Sequence, residues 1–358
     1  MRLIDKIAAV DTTTFTRAGA LVVTDPEEID KLTAGRPDPF KEQSAFFKTY
    51  KQNPLPQSVR SEMRKLLIRL LMSTGGQAAL KQPAIRDGVF KTQEWGVEVT
   101  FDSLLDIICG NRDRRLIDLT RRYIREVVIA SNIRGVKKAR RPQVSASIWK
   151  LMEPYFAELE PASVPRDLVD ITLTVRASLD EAEVPEVYSR LVLSMVGFTG
   201  VALESALHLG LKRSPDGSVP LDTYPSSAIV NETLRLYPSA WKLIRESHSD
   251  ATESEYREVL LMMTAVHRNP RMWNKPLSFV PQRWLDQPAP SSVDYFPFGK
   301  HNMLCPAKQF ALTFLSTTLE SIQATQSVSM GRHIRGPRAH ILFAPPRRTI
   351  TIAAKSMG

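Results

Sequence analysis

The feature that most constrains this chain is a loop, residues 296–307, that places a single cysteine directly before a helical pattern. Cys305 is followed by Pro306, which suits the first position of a helix because the N–H there has no partner within the helix. The residues that follow repeat apolar side chains at helical spacing and predict a helix over about 306–324. A thiolate at a helix start faces the positive end of the helix dipole, and the thiolate is the form that ligates metal. The cysteine alone still favours a simple buried side chain over a ligand.

Two upstream segments change that balance. Glu232 and Arg235 form an E-x-x-R pair on one face of a predicted helix, 226–236. Arg283 ends a later Pro-x-Arg segment. In this order, and at this distance from Cys305, the three motifs resemble the cytochrome P450 superfamily of heme-thiolate enzymes. The resemblance extends over about residues 20–355 and is strongest in 230–315.

The resemblance implies heme b as the cofactor, Cys305 as the axial iron ligand, and a buried ion triad of Glu232, Arg235 and Arg283. It further implies that Arg64 and Arg245 hold the heme propionates. The complete set of positions that it assigns to the cofactor is Arg60, Arg64, Gly197, Arg245, Phe298, Gly299, His301, Cys305 and Ala307.

The cysteine loop departs from the family pattern in three places. His301 stands where a glycine normally lets the backbone pass close to the porphyrin and the sulfur. Met303 replaces the His or Arg that relatives often place against a propionate, and Ala307 replaces a glycine. A reshaped loop is therefore expected, while Phe298 and Gly299 keep their places.

The helix expected on the distal side departs further. The family pattern there is small-Gly-x-acid-Thr, and alignment on Gly197 puts Thr199 at the acid and Gly200 at the threonine. Alignment on Glu204-Ser205 instead leaves too few residues before Glu232. Oxygen activation needs protons delivered on this side, which is general acid work. We expect residues 197–200 to line the oxygen pocket, with Thr199 and Gly200 as the catalytic positions and the Thr199 hydroxyl one place displaced.

The predicted fold class is mainly α with small β-sheets, a cytochrome P450-like fold shortened at its N-terminus, in one catalytic domain over 1–358. The helices are predicted at about 26–34, 58–73, 112–130, 144–159, 184–210, 226–236, 254–267 and 306–324. Strands are predicted at 20–24, 241–247, 339–344 and 349–354. Pro345-Pro346 is expected to separate the last two strands as a hairpin-like turn.

Charge and cysteine usage limit the partners. The net charge is +10, but the basic residues are spread along the chain without a nucleic-acid motif, so nucleic-acid binding is not expected. A ferredoxin-type electron donor is expected at a basic face carrying Lys300 and Lys308. The two cysteines lie far apart, and the apolar run 191–203 is too short to span a bilayer. These features predict a cytoplasmic protein without a membrane anchor.

Three functions stay open at this point. The first is a heme-thiolate monooxygenase that acts on a small, largely apolar natural product or biosynthetic intermediate. The second is a heme-thiolate enzyme that isomerises, dehydrates or cyclises its substrate, or oxidises it with peroxide. The peroxide-using branch of the family typically carries an arginine in the distal helix, and residues 191–211 contain none. The third is a degenerate relative that binds a partner without catalysis.

Overall fold

The computed structural model describes most of the chain. The described residues are 14–15, 20–34, 40–41, 55–81, 83–110, 112–133, 141–213, 218–247, 258–286, 291, 293–339 and 342–355. Helices dominate these residues, and small sheets lie among them. The predicted class, mainly α with small β-sheets, is therefore confirmed.

The helices of the first half of the chain lead up to one long central helix. They are α1 (Pro26–Ala34), α2 (Gln57–Met72), α3 (Thr74–Ala78), α4 (Trp95–Ser103), α5 (Leu105–Ile108), α6 (Arg114–Tyr123, continued by a π-helix, Ile124–Ile133), α7 (Arg141–Ala157) and α8 (Leu168–Thr174). The central helix, residues 184–210, has three consecutive parts: α9 (Val184–Val192), a π-helical wide turn (Leu193–Phe198) and α10 (Thr199–Gly210).

The helices after the central helix carry the E-x-x-R pair and follow the cysteine loop. They are α11 (Pro220–Thr223), α12 (Ser226–Leu236), α13 (Met263–Val266), α14 (Arg283–Asp286) and α15 (Lys308–Thr325). A single 3₁₀ turn, His301–Met303, lies inside the cysteine loop.

The described strands form three sheets. They are β1 (Thr14–Phe15), β2 (Ala20–Val23), β3 (Phe40–Lys41), β4 (Gly88–Lys91), β5 (Leu243–Ser247), β6 (Glu258–Leu261), β7 (Gln326–Arg335), β8 (Arg338–Ala339), β9 (Phe343–Ala344) and β10 (Arg347–Ala354). The strand orders are β1-β2-β6-β5-β3, β4-β10-β7 and β8-β9. Only β2 and β6 pair in parallel among the described strands, with Leu21 opposite Val259.

The central helix lies in the largest hydrophobic core, and its apolar character reflects that burial. Within the described residues, one helix, Glu181–Gly210, is long and apolar enough to cross a membrane, but 72% of its apolar window is buried inside the protein. Gly96 of α4 and Gly200 of α10 allow the two helices to cross at backbone contact, because a Cβ at Gly200 would lie 2.5 Å from the Cα of Val97. This crossing positions the wide turn in the molecular interior.

Two predictions of local structure were wrong. The helix predicted over 254–267 gives way to strand β6 followed by the four residues of α13, while 254–257 lie outside the described residues. The run Val259-Leu260-Leu261 is short and apolar, a pattern that a strand and a buried helix share. Pro345-Pro346 does not close a hairpin either, because β9 pairs with β8 whereas β10 pairs with β4 and β7.

Candidate functional site

The cysteine loop turns sharply because its backbone is left-handed at two positions. Gly299 has φ +72°, and a Cβ there would lie 2.5 Å from the carbonyl oxygen of Met303. His301 has φ 49°, so the residue that replaces the family's glycine adopts a conformation that glycine adopts readily. The Cys305 amide then donates to the carbonyl oxygen of Phe298 at 2.9 Å and closes the loop. The backbone therefore keeps a glycine-like course despite the histidine.

The sulfur of Cys305 lies just before α15. Helix α15 begins at Lys308 with Ala307 as its N-cap, two residues later than Pro306 was predicted to start it. Burial raises the pKa of the Cys305 thiol, and the Ala307 amide and the positive charge of Arg64 oppose that rise. A metal bound at the sulfur would override the effect of burial, because a coordinating thiol is deprotonated outright.

Arg60 and Arg64 lie one turn apart on α2 and contact different parts of the site. The Nη2 of Arg64 donates to the carbonyl oxygen of Leu304 at 2.6 Å, directly before the cysteine. Burial and the charge of Arg245, on β5, lower the pKa of Arg60. The two cationic groups therefore repel each other, and an anion bound near both would reduce that repulsion.

The E-x-x-R glutamate and the two arginines meet in the interior. Glu232 and Arg235 are both 0% exposed and are joined by two hydrogen bonds, Nε–Oε2 at 2.9 Å and Nη2–Oε1 at 2.8 Å. The Nε of Arg283 lies 3.1 Å from Oε2 of Glu232. The Val280 amide and the Trp284 indole donate to the same carboxylate at 2.9 Å and 3.0 Å. Five donors thus balance one buried carboxylate, and the last two were not identified from the sequence.

The distal side is built around the wide turn of the central helix. A π-helical turn leaves backbone carbonyls displaced from the regular ladder, and such turns often occur at functional sites. Here the Ser239 hydroxyl donates to the Phe198 carbonyl at 2.8 Å, and the Ser239 carbonyl accepts from the Phe343 amide at 3.1 Å. Thr199 lies directly after this turn and is half-buried. Ser239 links the turn to the segment before β10 and was not identified from the sequence.

Gly197 and Gly200 face different neighbours. A Cβ at Gly197 would lie 2.9 Å from a methyl of Leu193, 3.1 Å from Val128 and 3.5 Å from Leu342, so this position lies among apolar side chains. Gly200 faces the backbone of α4 instead. Position 200 therefore has no room for a side chain, because any Cβ there would collide with the backbone of Val97. The catalytic role of Gly200 stays a prediction.

Glu204, the acid of the alternative alignment, points away from the wide turn to the N-terminal end of α4. Its carboxylate accepts from the amides of Gln93 at 2.6 Å and Gly96 at 2.9 Å. Burial raises the pKa of Glu204 to about 8. Glu204 therefore caps a neighbouring helix, and Ser205 beside it is fully buried.

Of the two lysines predicted to lie on a partner-docking face, only Lys308 is exposed. Lys308 is exposed, but Lys300 is only 6% exposed, and its Nζ lies 2.5 Å from Oδ1 of Asp30 on α1. His301 binds the same oxygen at 2.8 Å. Lys300 is therefore engaged inside the protein, and its assignment to a docking face is corrected.

Part of the chain matches a family model, and part of it is similar to curated proteins. The model "Cytochrome P450" matches residues 226–335. Protopine 6-monooxygenase of Papaver somniferum is 30% identical over 141 residues, 33% of this chain and 26% of that protein. Demethylepipodophyllotoxin synthase of Sinopodophyllum hexandrum is 32% identical over 128 residues, 33% of this chain and 25% of that protein. The chain thus spans about a quarter of the length of these curated relatives.

The likeness of fold extends along nearly the whole chain. The P450 OxyD, described as involved in the biosynthesis of vancomycin-type antibiotics, superposes with a TM-score of 0.70 at 18% identity, over 99% of this chain and 96% of that one. A cytochrome P450 named CYP102L1 gives a TM-score of 0.69 at 15% identity, over 99% and 97%. The fold is therefore that of the cytochrome P450 superfamily, and residues 226–335 match that family's model.

The superfamily implies heme as the cofactor, and the residues present fit it. Cys305 offers one sulfur at the end of a closed loop, with an amide and Arg64 near it. The negative charges of heme propionates would offset the mutual repulsion of Arg60 and Arg245. Cys305 would hold the iron, and Arg60 and Arg245 would hold the propionates. The predicted role of Arg64 at a propionate stays a prediction, because its Nη2 binds the Leu304 carbonyl.

Proposed function

We propose that this protein is a heme-thiolate monooxygenase that acts on a small, largely apolar molecule. The observation that carries the proposal is the closed cysteine loop that ends at Cys305, together with the wide turn in the central helix. When bound, heme supplies the oxidising chemistry, with the Cys305 thiolate favouring O–O cleavage. The activities printed for the plant relatives support the reaction class but leave the substrate open.

The apolar character proposed for the substrate follows from the surroundings of Gly197. Leu193, Val128 and Leu342 approach this position, and Leu342 is fully buried. An apolar ligand bound beside Gly197 would meet these side chains, which would orient it by shape and exclude water. The turn that carries Leu342 and Phe343 is proposed as a substrate-contacting segment.

Thr199 is proposed to hold and pass a proton on the distal side. It directly follows the wide turn, beside the Phe198 carbonyl that Ser239 engages. Glu204 is unavailable for this task because its oxygens bind the amides at the start of α4. The proton path in this protein therefore depends on one hydroxyl and on groups that the substrate brings.

A specific observation favours a second candidate. With Gly200 committed to the crossing with α4, the acid–alcohol pair that serves oxygen activation is incomplete. A heme-thiolate enzyme that isomerises, dehydrates or cyclises its substrate would need no such pair. This candidate predicts turnover without a reductase and without oxygen.

The electron donor and the location are part of the proposal. Exposed Lys308 and Lys65 lie on α15 and α2, two of the helices next to the cysteine loop, and the chain carries a net charge of +10. An acidic ferredoxin-type protein would be attracted to such a face. A cytoplasmic location remains a proposal.

The deciding experiment combines a spectrum with turnover. The reduced, carbon-monoxide-bound protein should show the thiolate signature; Cys305→Ser should abolish it, and Cys109→Ala, which removes the other thiol, should preserve it. With NADPH and a surrogate ferredoxin pair, consumption should track formation of an oxidised product. Product formation that needs neither reductase nor oxygen would select the second candidate. A purified protein without heme would refute both and favour a non-catalytic binding partner.

A further inference from the structure

One carboxylate on α1 is bound by two consecutive residues of the cysteine loop. Asp30 Oδ1 lies 2.5 Å from the Lys300 Nζ and 2.8 Å from the His301 Nε2. Both contacts lower the pKa of Asp30, Lys300 by the larger amount. The partners are about 270 residues apart in sequence, so the contact joins the N-terminal part of the chain to the cysteine loop.

Lys300 makes this contact more than a surface ion pair. Its side chain is 6% exposed and its Nζ lies 4.8 Å from the centre of the Phe296 ring. A lysine is almost never buried to this extent without a paired charge. Asp294 also feels the charge of Lys300, which opposes the rise that burial causes in the pKa of Asp294. Removing the charge of Asp30 would break the ion pair of a buried ammonium, and the loop would have to open to hydrate it.

Position 301 contacts α1, and position 303 packs against the hydrophobic cluster to which α1 contributes. His301 binds Asp30, and Met303 packs against the cluster that includes Ile29 of α1 and Leu21 and Val23 of β2. The side chain at 303 is therefore occupied in an apolar contact. The loop is anchored on this side by one polar and one apolar contact.

The other end of the loop is anchored separately. Arg64 of α2 binds the carbonyl oxygen of Leu304, and the Cys305 amide binds that of Phe298. The loop thus lies between α1 and α2, and Cys305 follows the second anchor directly. A change at the α1 anchor reaches the cysteine through the 3₁₀ turn, where the Leu304 amide donates to the His301 carbonyl at 3.2 Å.

We propose that Asp30 is a positioning residue for Cys305: through Lys300 and His301 it holds the cysteine loop in the conformation that presents the sulfur to the cofactor. The inference rests on the proposed heme-thiolate function. Asp30 touches neither the sulfur nor any group that reacts. It sets the orientation of the sulfur by fixing the half of the loop that precedes it.

The test compares Asp30→Asn with Glu27→Gln, a matched loss of one negative charge at an exposed position of the same helix. Hydrogen–deuterium exchange of a peptide spanning residues 299–305 is measured on each purified protein. We expect Asp30→Asn to speed exchange of this peptide about tenfold, as expected from the loss of a charge-assisted hydrogen bond. The fraction of reduced, carbon-monoxide-bound protein with the thiolate signature should fall in parallel. Glu27→Gln should match the parent protein in both measurements.

A second variant separates positioning from general damage. Lys300→Met removes the buried ammonium while keeping a long side chain against Phe296, so adding it to Asp30→Asn should recover most of the thiolate fraction. If Asp30→Asn leaves both exchange and thiolate fraction unchanged in a protein whose parent shows the thiolate signature, the inference is wrong. If the double variant stays as damaged as Asp30→Asn, the inference is also wrong. A parent protein without the thiolate signature would instead overturn the proposed function, and the exchange comparison would still test the anchor.

Discussion

The buried carboxylate of Glu232 offers the sharpest test of how this fold is held together. Its two oxygens accept from Arg235, Arg283, Trp284 and the amide of Val280 at 2.8–3.2 Å. Glu232→Gln keeps the shape but replaces one accepting oxygen with an NH₂ group that faces donors. It also leaves Arg235, which is 0% exposed, without its counter-charge.

The magnitude follows from the burial of both partners. Removing one member of a buried ion pair costs about 3–5 kcal/mol, since the remaining charge stays out of water. Whole proteins are stable by about 5–15 kcal/mol, so the variant should lose a large fraction of its stability. Part of the Arg235 charge is still met by the carbonyl oxygens of His267, Pro276 and Ser278, so we expect a loss of about 3 kcal/mol, near the lower limit.

The assay is urea unfolding followed by circular dichroism, with Glu158→Gln as the control. Glu158 is exposed and directly follows the last residue of α7. The same substitution there should change the free energy of unfolding by less than about 0.5 kcal/mol. A loss below about 1 kcal/mol for Glu232→Gln, with an unchanged slope against urea, would refute the claim that this carboxylate is essential to the fold.

Three further predictions concern the central helix and the cysteine loop. Gly200→Ser should destabilise the protein by about 1–3 kcal/mol in urea unfolding, because its Cβ meets the backbone of Val97; an unchanged midpoint would contradict the close helix crossing. Burial raises the pKa of Glu204 to about 8, so the folded protein holds a proton that the unfolded chain releases above its ordinary pKa of 4.5. The stability that this group contributes is therefore greatest below about pH 4.5 and is lost as the pH rises to about 8, by up to about 1.4 kcal/mol per pH unit. The free energy of unfolding in urea, measured against pH for the parent protein and for Glu204→Gln, should differ by that slope. Equal pH dependence in the two proteins would refute the prediction. His301→Gly should change stability by less than about 1 kcal/mol, since glycine adopts the left-handed backbone without strain and this gain offsets the lost contact with Asp30. His301→Val should cost more, because a β-branched residue disfavours φ near +49°. Equal losses of stability in the two variants would contradict the backbone argument.

Several elements could be predicted because their signals are local. The helix carrying Glu232 and Arg235 has the predicted bounds, and its E-x-x-R spacing places both side chains on one face. The predictions were wrong where the local apolar pattern fits a helix but pairing with distant strands decides the structure. Residues 258–261 form a strand since β2 and β5 flank them on both sides, and neither neighbour is visible from the run itself.

The candidate site divides in the same way. Cys305, its loop and the two arginines Arg60 and Arg245 were identifiable from motifs. The contacts of Asp30, Ser239 and Leu342 with this site were not, since each joins residues far apart in the chain. Nothing in their own neighbourhoods marks them as functional.

The sequence by itself determined the resemblance to cytochrome P450s, the mainly helical class and the position of the cysteine loop, because motif spacing and apolar periodicity are properties of short segments. The tertiary structure decided that Gly200 belongs to a helix crossing, that Lys300 is buried, and that Asp30 of α1 contacts the cysteine loop. These outcomes depend on which distant surfaces meet when the core closes. A residue's role then follows from the neighbour that packing supplies, and that neighbour cannot be read from spacing along the chain.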